Sequence, residues 1–227
     1  MKSDTQNQIR QQVLAQLRLV SLEGHQRRSE LVVAHWQARW VQLLGSDRLP
    51  SGFKVGVYRS LPTEFQSESL NLFLARAGFQ LYFPRVVTQV AADQVGASSK
   101  ALEWVPMPPE SVVSGRGDTS FWQPGAYGIM EPSPDRVADA APDLDLVVVP
   151  GVAFGCQGER IGRGGGFYDR CLAQVPKALR LSFVYDFQVL ESLPQNPWDQ
   201  SVHWIFSETS EVRTEFIEKW LQRCSKK

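Results

Sequence analysis

The sequence predicts a single α/β domain in which helices cover both faces of an open, mostly parallel β-sheet. Apolar segments of strand length alternate with amphipathic helical segments along most of the 227 residues, a pattern typical of three-layer α/β/α folds. The apolar run at 144–149 leads through Pro150-Gly151 to a glycine-rich loop and a helix start. This order is found in Rossmann-like sheets. The length suffices for one buried core, so we assign residues 1–227 to one domain.

The N-terminal part, about residues 7–44, is predicted to form two helices. In the first helix, the apolar residues at helical spacing are Ile9, Val13, Leu17 and Val20. In the second, which extends from about 26 to 44, the apolar stripe consists of Val33, Trp36, Trp40 and Leu43. These helices precede an α/β core that extends over about residues 53–223.

The core begins with a predicted βαβ unit. Residues 54–60 alternate as a short strand does, residues 70–77 carry apolar side chains at helical spacing, and residues 79–86 form the next strand. A connection of this kind usually joins two parallel strands. The unit therefore predicts the first parallel pair of the sheet.

The middle segment, about residues 88–125, is predicted to be an irregular insertion rich in polar residues, proline and glycine. Within it, residues 101–107 are a candidate edge strand, because Pro106 has no N–H with which to pair. Arg116-Gly117-Asp118 spells an adhesion tripeptide, which we attribute to chance because no secretory signal is present. The sequence leaves open whether this segment covers a ligand or is an insertion without such a role.

The chain after the glycine loop continues the alternation of helices and strands. The predicted elements are a helix at 167–175, a strand at 179–189 and a short strand at 203–206. Asp199 lies in a polar loop, and His203, at the start of a strand, is expected to be structural. A final helix is predicted from the spacing of Val212, Phe216 and Trp220.

Composition argues against several classes of partner. Lys plus Arg and Asp plus Glu both number 24, so net charge favours neither nucleic acid nor membrane as a partner. No apolar run approaches the roughly 18 residues that span a bilayer, and the first residues lack the apolar core of a signal peptide. The 3 cysteines have no metal-binding or redox spacing. We therefore expect a cytoplasmic protein with free thiols, present as a monomer or weak homodimer.

The glycine loop, Gly162-Arg163-Gly164-Gly165-Gly166, has the chemistry of an anion site. Glycines allow backbone N–H groups to approach an anion closely, and Arg160 and Arg163 supply positive charge for phosphate oxygens. The helix that begins near Phe167 directs the positive end of its dipole to the same place. Asp169, in the first helical turn, either caps the helix or holds a magnesium ion.

Two common phosphate motifs do not match this loop. A P-loop requires a lysine followed by serine or threonine, which are absent here, and the dinucleotide fingerprint requires a glycine where Phe167 stands. On the residues alone, the loop is either a phosphate site of another kind or a flexible turn.

Motifs along most of the chain resemble one enzyme family. The central motif is Arg160–Arg170, RIGRGGGFYDR, preceded by Pro150–Phe154 and Gly158. The other matching segments are Arg10 with Ser21, Val55–Glu64, Phe83–Arg85, Tyr127–Pro132, Tyr185–Gln188 and Leu193-Pro194. Together they resemble the 5-formyltetrahydrofolate cyclo-ligase family, also called 5,10-methenyltetrahydrofolate synthetases. The resemblance extends over about residues 10–209, essentially the whole domain.

This resemblance implies an ATP- and Mg²⁺-dependent ligase that forms a C–N bond. Its substrate would be the reduced folate 5-formyltetrahydrofolate, and its products 5,10-methenyltetrahydrofolate, ADP and phosphate. ATP would phosphorylate the formyl oxygen, which is otherwise a poor leaving group, and N10 of the folate would then close the ring. Catalysis would consist mainly of placement and charge stabilisation.

The resemblance also implies roles for individual residues. Arg163 would be catalytic, near the transferred phosphoryl group. The folate would be bound by Glu64, Tyr127 and Phe167, and Mg²⁺ by Asp169 and Asp199. ATP would be bound by Arg10, Arg160, Ile161, Gly162, Arg163, Gly164, Gly165, Gly166, Phe167 and Tyr168.

Simpler explanations for these residues are open at this point. Arg10 on a surface helix is commonly only solvated. Glu64 or Asp169 can simply stabilise a helix N-terminus through the helix dipole. Tyr127 and Phe167 can be core aromatics, the commoner role of such residues. The sequence does not choose between these roles and ligand binding.

The chain departs from the family pattern at four positions. Gln6 replaces a lysine one turn before Arg10, and Gly165 stands where some members carry lysine. The late loop of the family usually reads His-Asp-x-x-Val-Asp, and here Trp198 and His203 replace its histidine and its second aspartate. These changes keep open an alternative, a non-catalytic paralogue that only binds folate or nucleotide.

A third hypothesis is an enzyme of another α/β family that acts on sugar phosphates or coenzyme A esters. Glu64 and the segment 127–132 argue against it, because such an enzyme would not need them.

Overall fold

The computed structural model of the chain describes residues 2–44, 52–90, 98–113, 119–125, 127–139 and 142–217. The tripeptide Arg116–Asp118 and the residues Trp220 and Cys224 lie outside the described residues. Within the described ranges, no helix is both long and apolar enough to cross a lipid bilayer.

The described chain contains both helices and strands. The helices are α1 (Lys2–Leu19), α2 (Leu22–Leu44), α3 (Glu68–Arg76), α4 (Pro109–Val113), α5 (Phe167–Gln174) and a 3₁₀ helix at Asp186–Gln188. The strands of the main sheet are β1 (Lys54–Gly56), β2 (Gln80–Val90), β3 (Ser98–Met107), β6 (Leu146–Val148), β9 (Leu179–Phe183), β11 (Trp204–Phe206) and β12 (Glu211–Arg213). The remaining strands are β4 (Trp122–Pro124), β5 (Met130–Pro132), β7 (Ala153–Gly155), β8 (Arg160–Ile161) and β10 (Val189–Leu190).

Seven strands in the described part of the chain form one open sheet, in the order β12-β11-β9-β6-β1-β2-β3. The strands from β11 to β2 run parallel to one another, whereas β12 and β3 add antiparallel edges. The predicted open, mostly parallel sheet and its first βαβ unit are therefore confirmed. So is the edge strand that contains Pro106.

The sheet is buried on both faces, which makes the fold three-layered. On one face, side chains of α2 and α3, such as Trp36 and Leu70, share a core with Val148 of β6. On the other face, Leu172 of α5 shares a second core with Val147, the preceding residue of β6. Successive strand residues point to opposite faces, so β6 contributes to both cores.

Helix α1 lies apart from these two layers and packs on a small sheet in the order β10-β7-β8. Val13 and Leu17 contact a cluster that includes Ala153, Ile161 and Tyr185. Because β8 leads directly into the glycine loop, this packing brings one side of α1 next to that loop.

Two predictions of local structure were wrong in part. The strand predicted at 179–189 ends at Phe183, Asp186–Gln188 form the 3₁₀ helix, and Val189 begins β10. The Gln188 side chain accepts a hydrogen bond from the Tyr185 N–H, which caps the 3₁₀ helix. Val212, predicted to be helical, lies in β12 opposite Ile205. Pairing with β11 satisfies the backbone of this edge segment, and it outweighs a weak helical spacing.

The middle segment is more regular than predicted. Strands β2 and β3 pair antiparallel: Leu81 lies opposite Met107 at one end of the ladder, and Val90 lies opposite Ser98 at the other. Strands β4 and β5 form a second hairpin. Arg85 of β2 donates a hydrogen bond to the Ser133 carbonyl at 2.6 Å, which ties the two hairpins together. The segment therefore forms one wall beside the sheet.

Candidate active site

A cavity of about 1000 Å³ lies where the chain leaves β1 and β6. Tyr58 and Glu64 follow β1, and Pro150 and Gly151 follow β6. The carboxyl ends of parallel strands are the usual place for ligands in open α/β sheets. The volume is in the upper range of ligand pockets, which suits one large ligand or two smaller ones.

Every residue that the sequence predicted for the site lines this one cavity. The set is Arg10, Glu64, Tyr127, Arg160, Ile161, Gly162, Arg163, Gly164, Gly165, Gly166, Phe167, Tyr168, Asp169 and Asp199. They come from α1, from the loop after β1, from the β4–β5 hairpin, from the glycine loop with α5, and from a late loop. Residues far apart in the sequence therefore meet at one place.

The glycine loop has a backbone that requires glycine at two positions. Gly164 and Gly166 have φ angles of 102° and 62°, in the left-handed region that other residues rarely adopt. Gly166 is the N-cap of α5 and provides no side-chain cap. The first N–H groups of α5 are therefore left for an anion at the helix N-terminus.

Arg160 is buried in an ion pair. Its Nη2 donates to Asp169 Oδ1 at 2.6 Å, and the side chains are 3% and 21% exposed. The same oxygen accepts the Gln200 backbone N–H at 3.1 Å. Arg160 Nε is buried without a hydrogen-bond partner in the described part of the chain. This pair holds the start of the loop, the first turn of α5 and the late loop together.

Arg163 makes a second ion pair at the cavity mouth. Its Nε donates to Glu64 Oε1 at 2.6 Å, with the two side chains 40% and 15% exposed. Glu64 Oε2 accepts the Leu61 backbone N–H at 3.2 Å. The residue predicted for the phosphoryl group and the residue predicted for the folate therefore contact each other directly.

A buried hydrogen-bond network that the sequence did not reveal lies behind the Glu64 backbone. The Tyr185 hydroxyl lies 3.2 Å from the Glu64 carbonyl oxygen and 2.9 Å from His25 Nδ1. His25 Nε2 lies 3.1 Å from the Leu17 carbonyl, which places its proton on Nε2, so Nδ1 accepts the Tyr185 proton, and the Glu64 carbonyl accepts from Gln66 Nε2 at 2.7 Å. Burial raises the pKa of Tyr185 to about 12 and lowers that of His25, which favours the neutral form of both. A single histidine on a helix gave no signal for this role.

Helix α1 contributes two polar side chains one turn apart. Arg10 Nε donates to the Gly162 carbonyl at 2.8 Å, so Arg10 is anchored to the glycine loop and is not simply solvated. Gln6 Nε2 donates to Asp199 Oδ2 at 3.0 Å. The helix thus connects the glycine loop to the late loop.

Two aromatic rings form part of the cavity wall. Tyr127 and Phe167 pack edge to face with their centroids 5.9 Å apart. Tyr127 is 52% exposed, so it is not a core aromatic. The Arg170 guanidinium lies 5.3 Å from the Phe167 ring. The pair offers an apolar surface beside positive charge.

Two phenols complete the lining. Burial raises the pKa of Tyr58 and of Tyr168 well above the usual value, so both remain protonated. The Tyr168 hydroxyl is buried and has no hydrogen-bond partner among the described residues. An unpaired donor of this kind is unusual in a protein interior.

Asp169 and Asp199, the carboxylates predicted to bind a metal ion, both line the cavity. Within the described ranges, no group of three or more His, Cys, Asp or Glu residues comes together. Each aspartate uses one oxygen for hydrogen bonds: Oδ1 in Asp169 and Oδ2 in Asp199. One oxygen of each accepts no hydrogen bond from the part of the chain described. Mg²⁺ is commonly bound by one or two carboxylates together with water and phosphate oxygens, so this donor set fits Mg²⁺.

The family comparison agrees with this arrangement. Residues 2–208 match the 5-formyltetrahydrofolate cyclo-ligase family, a range that contains every cavity residue named above. The chain belongs to the 5-formyltetrahydrofolate cyclo-ligase family. The resemblance seen in the sequence motifs is thereby confirmed.

Similar proteins of known name include members from bacteria and animals. The 5-formyltetrahydrofolate cyclo-ligase of Mycolicibacterium smegmatis is 29% identical over 117 residues, which cover 51% of this chain and 55% of that protein. This match thus spans about half the length of the relative. The Mus musculus 5-formyltetrahydrofolate cyclo-ligase is 23% identical over 89% of this chain and 93% of its own length.

A solved structure extends the comparison to the fold. The NMR structure of Aquifex aeolicus 5,10-methenyltetrahydrofolate synthetase matches with a TM-score of 0.66 and 27% sequence identity. The match covers 92% of this chain and 93% of that chain. The cyclo-ligase fold is therefore present over nearly the whole chain.

The changes in the late loop fall in two different environments. Trp198 is 68% exposed and lines the cavity beside Asp199. His203 is outside the cavity lining: its Nδ1 accepts the Arg180 backbone N–H at 3.0 Å, and its ring stacks on Phe216. Burial, with a smaller contribution from the Arg180 charge, lowers the pKa of His203 to about 3. His203 is thus a neutral residue of the packing behind the site.

Proposed function

We propose that this chain catalyses the ATP-dependent cyclisation of 5-formyltetrahydrofolate to 5,10-methenyltetrahydrofolate. The observation that carries the proposal is that an anion site at the glycine loop and a surface suited to folate line the same cavity. The anion site has Arg10, Arg160 and Arg163 around it, and the other surface combines Glu64 with the aromatic pair. Membership of the cyclo-ligase family supports the same reaction.

The folate is proposed to bind on the side of Glu64. Its carboxylate accepts hydrogen bonds from the N–H groups of the pterin ring, which are donors. Tyr127 and Phe167 provide apolar contact for the rest of the ring system. Gln66 Nε2, which donates to the Glu64 carbonyl at 2.7 Å, keeps the Glu64 backbone in place.

ATP is proposed to bind with its phosphates at the loop 160–168. The unpaired N–H groups at the start of α5 face the phosphate oxygens, and Arg10 adds charge from α1. Arg163 lies between this loop and Glu64, so it is placed near the point where the γ-phosphoryl group would meet the formyl group. Charge stabilisation at that point is the main contribution expected from the protein.

The proposed reaction has two chemical steps. The formyl oxygen attacks the γ-phosphorus of ATP and expels ADP, which leaves an N5-iminium phosphate. N10 then attacks the formyl carbon and loses its proton, and the C–O bond breaks to release phosphate and leave the methenyl bridge. Asp169 and Asp199 would hold Mg²⁺, which neutralises phosphate charge when bound.

The reaction has a simple optical test. Purified protein with 5-formyltetrahydrofolate, ATP and Mg²⁺ is expected to develop the ultraviolet absorbance of the methenyl product, with one phosphate released per ring closed. No absorbance change, while calorimetry still detects binding of the folate, would favour the second candidate, a binding protein without turnover. The observation that favours this second candidate is the neutral Gln6 beside Asp199, at a position where the family usually has a lysine.

A further inference from the structure

The carboxylate of Asp199 is held in an asymmetric way. Its Oδ2 accepts three hydrogen bonds, from Gln6 Nε2 at 3.0 Å, from the Asn196 backbone N at 2.8 Å and from Asn196 Nδ2 at 3.3 Å. Its Oδ1 accepts none from the described residues. One oxygen is therefore fixed in place and the other is left for a ligand.

Gln6 is itself held at both ends of its amide. Its Nε2 also donates to the Pro194 carbonyl at 2.8 Å, and its Oε1 accepts Asn196 Nδ2 at 3.4 Å. One turn later on α1, Arg10 is bonded to the glycine loop. The amide is thus locked by the late loop on one side and by the packing of α1 on the other.

Amide donors orient a carboxylate without cancelling its charge. A lysine or arginine at the same place would compete with a cation for Asp199, whereas Gln6 and Asn196 are neutral. Residues that hydrogen-bond the ligands of a metal commonly set its affinity, and their loss costs about 10-fold to 100-fold. The arrangement at Asp199 has this form.

We propose that Gln6 and Asn196 are positioning residues, which fix Asp199 so that its Oδ1 binds the Mg²⁺ that accompanies a nucleoside triphosphate. This inference rests on the proposed function for the identity of the nucleotide. The Gln200 backbone, next to Asp199, donates to Asp169, so the two aspartates are held close together by one loop. Gln6 would therefore act on the metal through Asp199, to which its Nε2 donates a hydrogen bond.

The test measures nucleotide binding with and without the metal. The β,γ-imido analogue of ATP is titrated by calorimetry into the full chain, in excess Mg²⁺ and in EDTA, for the wild type and Gln6→Ala. Gln6→Ala is expected to weaken binding about 10-fold in Mg²⁺ and to leave binding in EDTA unchanged. Gln8→Ala, the same change at an exposed site on the same helix, is expected to change neither.

A second variant approaches the same oxygen from the loop. Asn196→Ala removes the longer side-chain bond and keeps the backbone bond, so a smaller, Mg²⁺-dependent loss of about 3-fold is expected, below the roughly 10-fold loss that removing a whole supporting side chain causes. The inference is overturned if Gln6→Ala weakens binding equally in Mg²⁺ and EDTA, or if both variants bind as the wild type does. Circular dichroism confirms that the variants are folded.

The two proposals can fail separately. If Gln6→Ala shows the Mg²⁺-dependent loss of analogue binding but the wild type forms no methenyl product, the proposed function is wrong and the role of Gln6 stands. If the product forms and Gln6→Ala shows no Mg²⁺-dependent loss, the proposed function stands and the role of Gln6 is wrong.

Discussion

The two arginines at the start of the glycine loop each form an ion pair with a carboxylate, but one pair is buried and the other is partly exposed. Arg160 and Arg163 are three residues apart, and each is bonded to a carboxylate at 2.6 Å. The Arg160 side chain is 3% exposed and its partner Asp169 lies in the next helix, whereas the Arg163 side chain is 40% exposed and its partner Glu64 lies across the cavity mouth. The Arg160–Asp169 pair is therefore part of the buried protein interior, and the Arg163–Glu64 pair lies at the open side of the cavity.

This difference determines what each pair can do. A buried pair repays the cost of desolvation only while both partners are present, so it holds loop, helix and late loop in one arrangement. An exposed pair contributes about 0–1 kcal/mol, so ligands that bind either partner can replace it. Arg160 is therefore suited to shaping the site, and Arg163 to acting within it.

The largest expected effect is on the free energy of unfolding when the buried pair is broken. Arg160→Met keeps much of the side-chain volume but leaves Asp169 without its cation, and we expect a loss of about 3 kcal/mol. Urea unfolding measures it. Arg163→Met is the matched control, and equal losses in the two variants would contradict the comparison.

Next in size is the effect of Arg163→Ala on turnover. The variant is expected to lower kcat about 100-fold, because a positioned charge at the phosphoryl group is lost, while stability changes by less than about 1 kcal/mol. The absorbance assay and urea unfolding together check both parts. Retention of full kcat would show that Arg163 is not the catalytic arginine.

The third effect is the pH dependence of the free energy of unfolding that His203 causes. Arg180 bonds to Gln200, whose N–H donates to Asp169, and the Arg180 N–H donates to His203 Nδ1. Because the folded pKa of His203 is about 3 and the unfolded value is about 6.5, only the unfolded chain takes up this proton between those values. The contribution of His203 to the free energy of unfolding is fully present above about pH 6.5. Below that pH it falls by about 1.4 kcal/mol per pH unit until the pH reaches the folded pKa.

His203→Asn isolates this contribution. The amide oxygen can accept the Arg180 N–H but does not titrate, so the slope of unfolding free energy between about pH 4 and 6 is expected to be about 1.4 kcal/mol per unit shallower than in the wild type. Urea unfolding at several pH values provides the measurement. Parallel slopes in the two proteins would mean that His203 is protonated in the folded state.

The sequence predicted most of the sheet, because strand and helix periodicities and the position of Pro106 are local signals. It did not predict β12 or the small sheet of β7, β8 and β10, whose strands are two or three residues long and carry too few residues to show a period. These elements form because they pair with neighbours that are distant in the sequence.

The candidate site was predicted through motifs, but the contacts inside it were not. The glycine loop, Glu64 and Asp199 each belong to a recognisable segment, so their meeting in one cavity follows from the family resemblance. The pairing of Arg163 with Glu64 and of Gln6 with Asp199 joins residues 99 and 193 positions apart. Such contacts depend on how α1 and the loops pack, which no local pattern reports.

The fate of the formyl oxygen tests the proposed chemistry most directly. The substrate is 5-formyltetrahydrofolate labelled with ¹⁸O in the formyl group, and the released phosphate is analysed by mass spectrometry after turnover with ATP and Mg²⁺. If the formyl oxygen attacks the γ-phosphorus and leaves with it, each phosphate carries one ¹⁸O. If the phosphate is unlabelled while the methenyl product still forms, the ring closes without phosphorylation of the formyl oxygen, and the role proposed for the glycine loop and Arg163 is wrong.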